Sequence, residues 1–368
     1  MRQSETQAAR VMGSAYMTWA KTQSRARFNL ATSGLMSYPL EALGIRLEDL
    51  ELSRAGSYGY APLQQALASH CGVSTDNVVA ASGTSMANHL AMAALLQPGD
   101  EVLLEHPTYE LLLSTLEYLQ ANVRRFRRAS ESGFALDPAQ VERSLTARTR
   151  LIVITNLHNP SGTLAESSAL REIGDLARRV GARVLVDEVY LDAVFDRTLR
   201  SSFHLGPEFV VTNSLTKVYG LSGLRCGWIL AEEDLTRRMW LLDDLFDVNQ
   251  AHVAERLSCI ALAKISEIRA RSRALLETNR RVLNDFLSTR RDLEARPLEY
   301  GTVCFPKLLT GPVDRFCELL REKYEATVVP GSFFEMPDYF RIGIGGETSE
   351  LVASLERLGS ALDDFGIR

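Results

Sequence analysis

The middle of the chain alternates short runs of β-branched and aliphatic residues with longer segments of helical periodicity, and this alternation constrains the fold most strongly. Seven strand candidates lie within residues 78–231, namely VVAAS, EVLLEHP, ANVRRFR, LIVITN, RVLVDEVY, EFVVTNS and CGWILA. Helical patterns such as TSMANHLAMAALLQ, PTYELLLSTLEYLQ and SSALREIGDLARRVG separate several of them. Apolar runs without alternation are typical of strands covered on both faces. The pattern therefore predicts an α/β fold with one large, mostly parallel seven-stranded sheet between helices.

The character of the sequence changes after residue 250. A long helical stretch at residues 251–291 is followed by short strand-like runs, among them GTVCFPKLL and YFRIGIGG, and by a final helical segment. This pattern is typical of a smaller α+β domain, and 368 residues are enough for two domains. We therefore predict a large domain over residues 51–250 and a small C-terminal domain over residues 251–368. The N-terminal segment, residues 1–50, is expected to pack with the small domain.

Charge and cysteine content argue against several classes of function. The formal net charge is -5, so the chain has no overall attraction for nucleic acid or for an anionic membrane surface. The basic run RRFRR, residues 124–128, favours an exposed strand edge. Five scattered cysteines argue against a disulfide framework and a zinc site, and they favour a reducing compartment. Without a long apolar stretch or the apolar core of a secretory signal, we expect a cytoplasmic protein with no membrane or nucleic-acid partner.

Polar and aromatic residues follow the predicted strands at the points where those strands end. Ligands of α/β sheets bind beyond the carboxyl ends of the strands, so such residues are candidates for one shared site. The candidates are Ser82, Gly83, Thr84, Tyr109, Asn159, Asp187, Tyr190, Ser214 and Lys217. Arg225 follows Lys217 in a loop that otherwise carries no charge. This convergence on one edge of the sheet is the main functional signal in the sequence.

Several of these residues could hold an anion. The triplet Ser82-Gly83-Thr84 opens a predicted helix, and a helix N-terminus with hydroxyl groups is suited to a phosphate. The same triplet could serve only as a helix cap and tight turn. Ser214 and Arg225 could add a hydroxyl and a forked guanidinium to the same phosphate.

The other candidates would suit a flat cationic ring. Asp187 ends an apolar strand, where a carboxylate needs a partner such as a protonated pyridine nitrogen, an arginine or a helix N-terminus. Lys217, if shielded from water, becomes a nucleophilic amine suited to a Schiff base, whereas in solvent it is an ordinary surface lysine. Tyr109 could stack on a ring or simply pack. A phosphate site, a stacking group, an acid and an amine together indicate pyridoxal 5′-phosphate (PLP).

The motifs HNPSGT, DEVY and SLTKVYGLSGLRCG resemble those of the fold-type I PLP-dependent enzymes, specifically the class I/II aminotransferases. The resemblance extends from NLATSG to YFRIGIGG. It implies that Lys217 carries PLP as a Schiff base, that Asp187 pairs with the pyridine nitrogen and that Tyr109 stacks on the ring. Tyr190, the third residue with a catalytic role, would contact the ring hydroxyl together with Asn159. The implied phosphate ligands are Ser82, Gly83, Thr84, Ser214 and Arg225.

Further implications follow from the resemblance alone. Arg341, in YFRIGIGG, matches the arginine that binds the substrate α-carboxylate, and Gly34 and Asn159 would lie beside that carboxylate. Without the resemblance, Arg341 is interpreted as an edge-strand arginine. Many members carry a tyrosine that reaches the phosphate of the neighbouring subunit, but Arg54 stands at that position, so Arg54 or a displaced Tyr58 is left for the role. Because family sites are shared across a dimer, we expect a homodimer.

The resemblance predicts a PLP-dependent aminotransferase that moves an amino group between an amino acid and a 2-oxo acid. The same PLP-holding residues serve a lyase or an amino-acid cyclase acting by β- or γ-elimination, so this alternative stays open. The ligand-binding half of a PLP-dependent transcription regulator is disfavoured, because only about thirty residues precede the matching region. The substrate side chain is not specified, and Tyr16, Tyr38 and Tyr58 are candidates for the pocket wall.

Overall fold

The computed structural model describes residues 10–54 and 56–366. Its helices are α1 (Ala15–Thr22), α2 (Leu40–Leu43), α3 (Ala61–Cys71), α4 (Thr84–Leu95), α5 (Glu110–Tyr118), α6 (Pro138–Ser144), α7 (Ser167–Val180), α8 (Glu233–Asp243), α9 (His252–Ala263), α10 (Ile265–Thr289), α11 (Val313–Tyr324) and α12 (Thr348–Gly366). Its strands are β1 (Phe28–Asn29), β2 (Val78–Ser82), β3 (Glu101–His106), β4 (Asn122–Arg127), β5 (Thr149–Thr155), β6 (Arg183–Asp187), β7 (Phe209–Ser214), β8 (Cys226–Leu230), β9 (Leu293–Glu294), β10 (Val303–Cys304), β11 (Lys307–Leu308), β12 (Ala326–Thr327), β13 (Val329–Pro330) and β14 (Phe340–Gly343).

Strands β2 to β8 form one seven-stranded sheet in the order β2-β8-β7-β6-β5-β3-β4. Its neighbouring strands run parallel except where β8 pairs with β2 and β7. Alternate residues of one strand enter different apolar clusters: Ile152 and Ile154 of β5 join one, whereas Leu151 and Val153 join another. Both faces of the sheet are therefore covered, and the predicted α/β fold with a mostly parallel seven-stranded sheet is confirmed.

The register of this sheet aligns the ends of the strands that carry candidate site residues. Thr155 of β5 lies opposite Asp187 of β6, and Asp187 lies opposite Thr212 of β7. Because β8 is antiparallel to β2, Ser82 at the end of β2 lies opposite Cys226 at the start of β8. The residues that follow β2 and those that precede β8 therefore meet at the same edge of the sheet.

The remaining strands are short. Strands β10, β14 and β13 form a three-stranded antiparallel sheet with β14 in the middle, and β9 pairs with β11. Strand β1 pairs in parallel with β12, so the N-terminal segment contacts the C-terminal elements. The division into domains at residues 50 and 250 stays a prediction, and its residues 1–9, 55, 367 and 368 lie outside the described part of the chain.

Two expectations about local structure were wrong in detail. The helical stretch at residues 251–291 is two helices, α9 and α10, because the backbone leaves helical geometry at Lys264 without a Gly or Pro to mark the break. Residues 124–127 of the run RRFRR lie in the edge strand β4, yet Arg128, which directly follows the strand, is buried. Among residues 10–54 and 56–366, no helix combines the length and apolarity that a membrane span requires.

Candidate active site

A cavity of about 330 Å³ lies at the carboxyl ends of β5 and β6. We call it the strand-end cavity. The predicted site residues that line it are Thr84, Tyr109, Asn159, Asp187, Tyr190, Lys217 and Arg225. Ser82, Gly83, Ser214, Gly34 and Arg341 contact these lining residues, as described below. The structure thus brings together all twelve candidate site residues, which the sequence spreads over residues 34–341.

Asp187 ends β6 and is buried. Its Oδ2 accepts a hydrogen bond from Asn88 Nδ2 at 2.8 Å, and its Oδ1 accepts one from the Val189 N–H at 3.1 Å. Thr212 orients Asn88 by donating to its Oδ1 at 2.6 Å. Burial raises the pKa of Asp187 to about 6, although the Asn88 hydrogen bond and the Lys217 charge act in the opposite direction. A buried carboxylate with a raised pKa favours a proton or a cationic partner in the cavity.

Lys217 lies in the loop after β7 with its side chain in the same cavity. Its Nζ donates to Ser33 Oγ at 3.2 Å. Burial lowers the pKa of Lys217, and the positive charge of Arg341 acts in the same direction. The backbone at Gly34 packs on this side chain, because a Cβ built on Gly34 would lie 3.5 Å from Lys217 Cδ. The arrangement increases the fraction of neutral, nucleophilic amine.

Two phenols border the cavity and stay protonated. Burial raises the pKa of Tyr190 to about 12 and raises that of Tyr109 well above its ordinary value. The ring of Tyr109 meets that of Tyr16 edge to face, with centroids 5.6 Å apart. Both phenols can therefore act as hydrogen-bond donors at neutral pH.

The residues predicted to hold a phosphate meet at the N-terminus of α4. Gly83 caps this helix with φ +82°, in the left-handed region that favours glycine. Thr84 Oγ1 donates to Ser214 Oγ at 2.8 Å, and Arg225 Nη2 donates to the Ser82 carbonyl oxygen at 3.0 Å. A Cβ on Gly83 would collide with the Arg225 guanidinium. Helix N–H groups, hydroxyls and a guanidinium are thus close enough to share one anion.

The Ser82 hydroxyl has a partner that the sequence did not single out. It hydrogen-bonds to the carboxylate of Asp247, which follows α8. This contact joins the end of β2 to the segment between α8 and α9.

Arg341 lies on β14, the middle strand of its sheet, so its interpretation as an edge-strand residue was wrong. It is 1% exposed. Its Nη1 donates to Asn159 Oδ1 at 2.9 Å, and its Nη2 donates to Tyr16 Oη at 2.9 Å and to the Ala31 carbonyl oxygen at 3.2 Å. Its Nε has no hydrogen-bond partner among the described residues. Because an unpaired buried donor is costly, this atom indicates a missing acceptor such as a carboxylate.

Three residues considered at the sequence level lie outside the lining of the strand-end cavity. Arg54 donates from Nε to Glu255 Oε2 at 3.0 Å, and Tyr58 is 56% exposed. Tyr38 packs beneath a guanidinium on α10. The expectation that Tyr38 and Tyr58 line the pocket was wrong within this chain, whereas Tyr16 does line it.

Sequence reasoning missed several lining residues. Asn88 lies one helical turn after Thr84 on α4, so the four-residue spacing was an available signal. Ser33 directly precedes Gly34, and its hydroxyl accepts from Lys217. Trp19 and Met17 of α1 line the cavity without any local motif that could have identified them.

Comparison with known proteins supplies the family. The sequence model described as "aminotransferase class I and II" matches residues 46–358. The chain belongs to the class I and II aminotransferase family. This match confirms the family predicted from the motifs and, with it, PLP as the predicted cofactor.

Individual members of the aminotransferase family that resemble the chain differ in the reaction they are named for. The chain is 29% identical over 351 residues to capreomycidine synthase of Streptomyces vinaceus, covering 92% of this chain and 90% of that protein. It is 25% identical over 299 residues to an aspartate aminotransferase of Pyrococcus horikoshii, covering 79% and 76%. A solved PLP-dependent aminotransferase from Streptococcus suis 89-1591 superposes with a TM-score of 0.88 at 27% identity, over 95% and 96% of the two chains.

Proposed function

We propose that the chain is a PLP-dependent aminotransferase that moves an amino group between an amino acid and a 2-oxo acid. The observation that carries the proposal is the pairing of Lys217 and Asp187 in one cavity. Burial lowers the pKa of the Lys217 amine and raises the pKa of the Asp187 carboxyl group. Schiff-base chemistry on a pyridine aldehyde needs these two groups.

The side chains of the strand-end cavity fit PLP. The buried hydroxyl of Thr216, next to Lys217, and the Nε of Arg341 have no partner among the described residues. Because Gly83 has no Cβ, there is room for the Arg225 guanidinium at the N-terminus of α4. When bound, PLP supplies an electron sink for the substrate and a carrier for its amino group. Its phosphate is assigned to Ser82, Gly83, Thr84, Ser214 and Arg225.

The catalytic residues have distinct tasks. Lys217 Nζ would hold PLP covalently, and as a free amine it would take the proton from the substrate Cα. Asp187, whose oxygens are fixed by Asn88 and Val189, would hold the proton on the ring nitrogen. Tyr190 would donate to the ring hydroxyl and, with Asn159 and Tyr109, would hold the ring.

Arg341 binds the α-carboxylate of the substrate. Nε is the nitrogen of this guanidinium that lacks an acceptor among the described residues, so it would donate to the carboxylate, and a bidentate contact would add one N–H of a neighbouring nitrogen. Asn159 and Tyr16 hold the guanidinium from its other nitrogens. Gly34 leaves room beside Lys217 for the substrate, since a Cβ at this position would already be in van der Waals contact with the lysine side chain.

We further propose that two chains form a homodimer. Most of the large apolar side chains that are exposed in the described chain lie within residues 40–58 and 241–248. The Tyr58 hydroxyl donates to Asp244 Oδ2 at 3.2 Å, which joins the two segments into one surface. Arg54 and Tyr58 both lie in the first segment, so a dimer through this face would bring them near the partner subunit. Exposed apolar side chains on two neighbouring segments favour burial against a second copy.

A second candidate function is supported by capreomycidine synthase, whose similarity extends over 92% of the chain. In this alternative the chain is a PLP-dependent lyase or amino-acid cyclase that eliminates a β- or γ-substituent. Lys217 would still move the Cα proton, and Arg341 would still bind the carboxylate. The two functions differ in the fate of the substrate side chain and in whether the amino group stays on the cofactor.

Single-turnover spectroscopy of the PLP-loaded protein with a panel of amino acids tests the proposal. A transaminase converts its cofactor to pyridoxamine phosphate in stoichiometric amounts, and an added 2-oxo acid restores the original absorption. A lyase or cyclase turns over without accumulating pyridoxamine phosphate and releases a substituent or a cyclic product. The Lys217→Ala variant is the control for proton transfer, because it removes the base and leaves the carboxylate site intact.

A further inference from the structure

A buried ion pair lies just outside the strand-end cavity. Glu105 at the end of β3 and Arg128 directly after β4 have fully buried side chains, and Arg128 Nη1 lies 2.8 Å from Glu105 Oε2. Taking two charges out of water costs several kcal/mol per ion, and apolar residues of similar volume are often at least as stable. Stability alone therefore does not account for charges at this position.

A series of hydrogen bonds through Thr155 and Asn159 links this pair to Arg341, the arginine that we propose binds the substrate. Glu105 Oε1 accepts from the Thr155 N–H at 2.8 Å and from Thr155 Oγ1 at 2.5 Å. Thr155 Oγ1 accepts from the Asn159 N–H at 3.0 Å, and Asn159 Oδ1 accepts from Arg341 Nη1 at 2.9 Å. Because the Thr155 hydroxyl donates a hydrogen bond to the Glu105 carboxylate, its oxygen lone pairs are free to accept from the Asn159 N–H. Each donor in the series therefore points toward Glu105.

Arg128 holds the same turn from a second direction. Its Nε donates to the Phe134 carbonyl oxygen at 2.7 Å, and its Nη1 is 3.4 Å from the Thr155 carbonyl oxygen. The ring of Phe134 packs against the imidazole of His158, with centroids 5.8 Å apart. His158 directly precedes Asn159, so the backbone that carries Asn159 is fixed from both sides.

We propose that Glu105 and Arg128 are positioning residues that act through Thr155 to set the place of Asn159 and, through it, of Arg341. The inference rests on the proposed function, because it assigns to Asn159 and Arg341 their contacts with the PLP ring and the substrate carboxylate. Neither Glu105 nor Arg128 lines the strand-end cavity. The ion pair fixes the turn that presents both binding groups to the cavity.

The chain offers a matched control at the other end of the same strand. Thr149 at the start of β5 donates from Oγ1 to Oε1 of the buried Glu101 at 2.7 Å, as Thr155 does to Glu105. Both threonines are buried, and both would be replaced by the isosteric valine. The two threonines are six steps apart along the strand, which is about 20 Å. Thr149→Val therefore removes the same kind of hydrogen bond, from a threonine hydroxyl to a buried glutamate, at a position that has no connection to the cavity.

The first readout needs neither cofactor nor substrate. Amide hydrogen exchange, followed by mass spectrometry on the peptide that spans residues 155–163, should be roughly tenfold faster in Thr155→Val, because the Asn159 N–H loses its acceptor. Thr149→Val should leave this peptide unchanged, and Thr155→Ser, which keeps the hydroxyl, should restore the wild-type rate. Equal exchange in the two valine variants overturns the proposal.

The second readout concerns the loaded enzyme. Thr155→Val should raise KM for the amino acid roughly tenfold with a smaller effect on kcat, because misplacing Asn159 and Arg341 weakens carboxylate binding. The absorption of bound PLP should titrate at higher pH, because the ring oxygen loses a well-placed donor. Glu105→Gln should likewise raise KM and shift the titration of bound PLP to higher pH. If KM and the pH at which bound PLP titrates are unchanged in Thr155→Val, the positioning role is refuted. If instead the wild-type protein binds no PLP while hydrogen exchange still differs between Thr155→Val and Thr149→Val, the proposed function is refuted.

Discussion

The variant Asp187→Asn tests whether the buried carboxylate of Asp187 serves to bind a cation rather than to stabilise the fold. Burial raises the pKa of this carboxyl group from its usual 3.8 to about 6, a rise of about two units. Each unit corresponds to about 1.4 kcal/mol, so the ionised carboxylate costs the cofactor-free fold about 3 kcal/mol at pH 8. Because the folded pKa lies above the unfolded one, the cost is absent below about pH 4 and grows as the pH rises through about 6.

Chemical denaturation of the cofactor-free variant and wild-type protein, from pH 4.5 to pH 8, measures this effect. The difference in free energy of unfolding should move in favour of the variant by about 2 kcal/mol over that range. Asparagine offers one acceptor where Asp187 accepts from both Asn88 and Val189, but this offset does not vary with pH. A difference that is independent of pH, or that moves toward the wild type, would refute the reasoning.

With PLP bound, the same substitution should have the opposite consequence. The variant loses the carboxylate that we propose as the partner of the ring nitrogen, a loss of about 3 kcal/mol or more, so single-turnover rates should fall at least about 100-fold. Glu188→Gln is the matched control. Glu188 is the adjacent buried carboxylate, its pKa is raised to about 7 by burial, and it lies outside the lining of the strand-end cavity. Its replacement should alter the pH dependence of stability and leave PLP binding and turnover near the wild-type level.

Three other predictions concern the remaining parts of the site. Arg341→Lys keeps the charge and loses the forked donor pair, so KM for the amino acid should rise roughly 10- to 100-fold while the absorption of bound PLP stays unchanged; an unaltered KM contradicts the assignment. Gly83→Ala should weaken PLP affinity in equilibrium dialysis by at least about tenfold, because its Cβ displaces Arg225, whereas Gly99→Ala, at a similar positive φ with open space around it, should not. Leu245→Glu should yield a monomer in analytical ultracentrifugation, since a charge in the apolar surface opposes its burial, and an intact dimer would exclude this face.

The large sheet could be predicted because most of its strands, unlike the edge strand β4, are buried on both faces and read as continuous apolar runs. The site followed from the same feature, since parallel strands deliver the residues after their carboxyl ends to one edge. Asp187 and Lys217 were identifiable as exceptions to the apolar pattern around them. Local sequence therefore carried most of the information about the half of the site that lies on the large sheet.

The rest depended on contacts between distant segments. Arg128 was assigned to an exposed edge because the run RRFRR gives no sign of Glu105, which lies beside it only through the pairing of β3 with β4. Tyr16 reaches Arg341 across 325 residues of sequence, and no periodicity encodes that contact. The break at Lys264 lacks the Gly or Pro by which a helix end is usually recognised.

The central claim is that Lys217 carries PLP. Its most direct test is borohydride reduction of the PLP-loaded protein, followed by peptide mass spectrometry. Reduction should fix one phosphopyridoxyl group to the peptide that contains Lys217, and Lys217→Arg should abolish the label. Label on a different lysine, or no label in a protein saturated with PLP, would contradict the account.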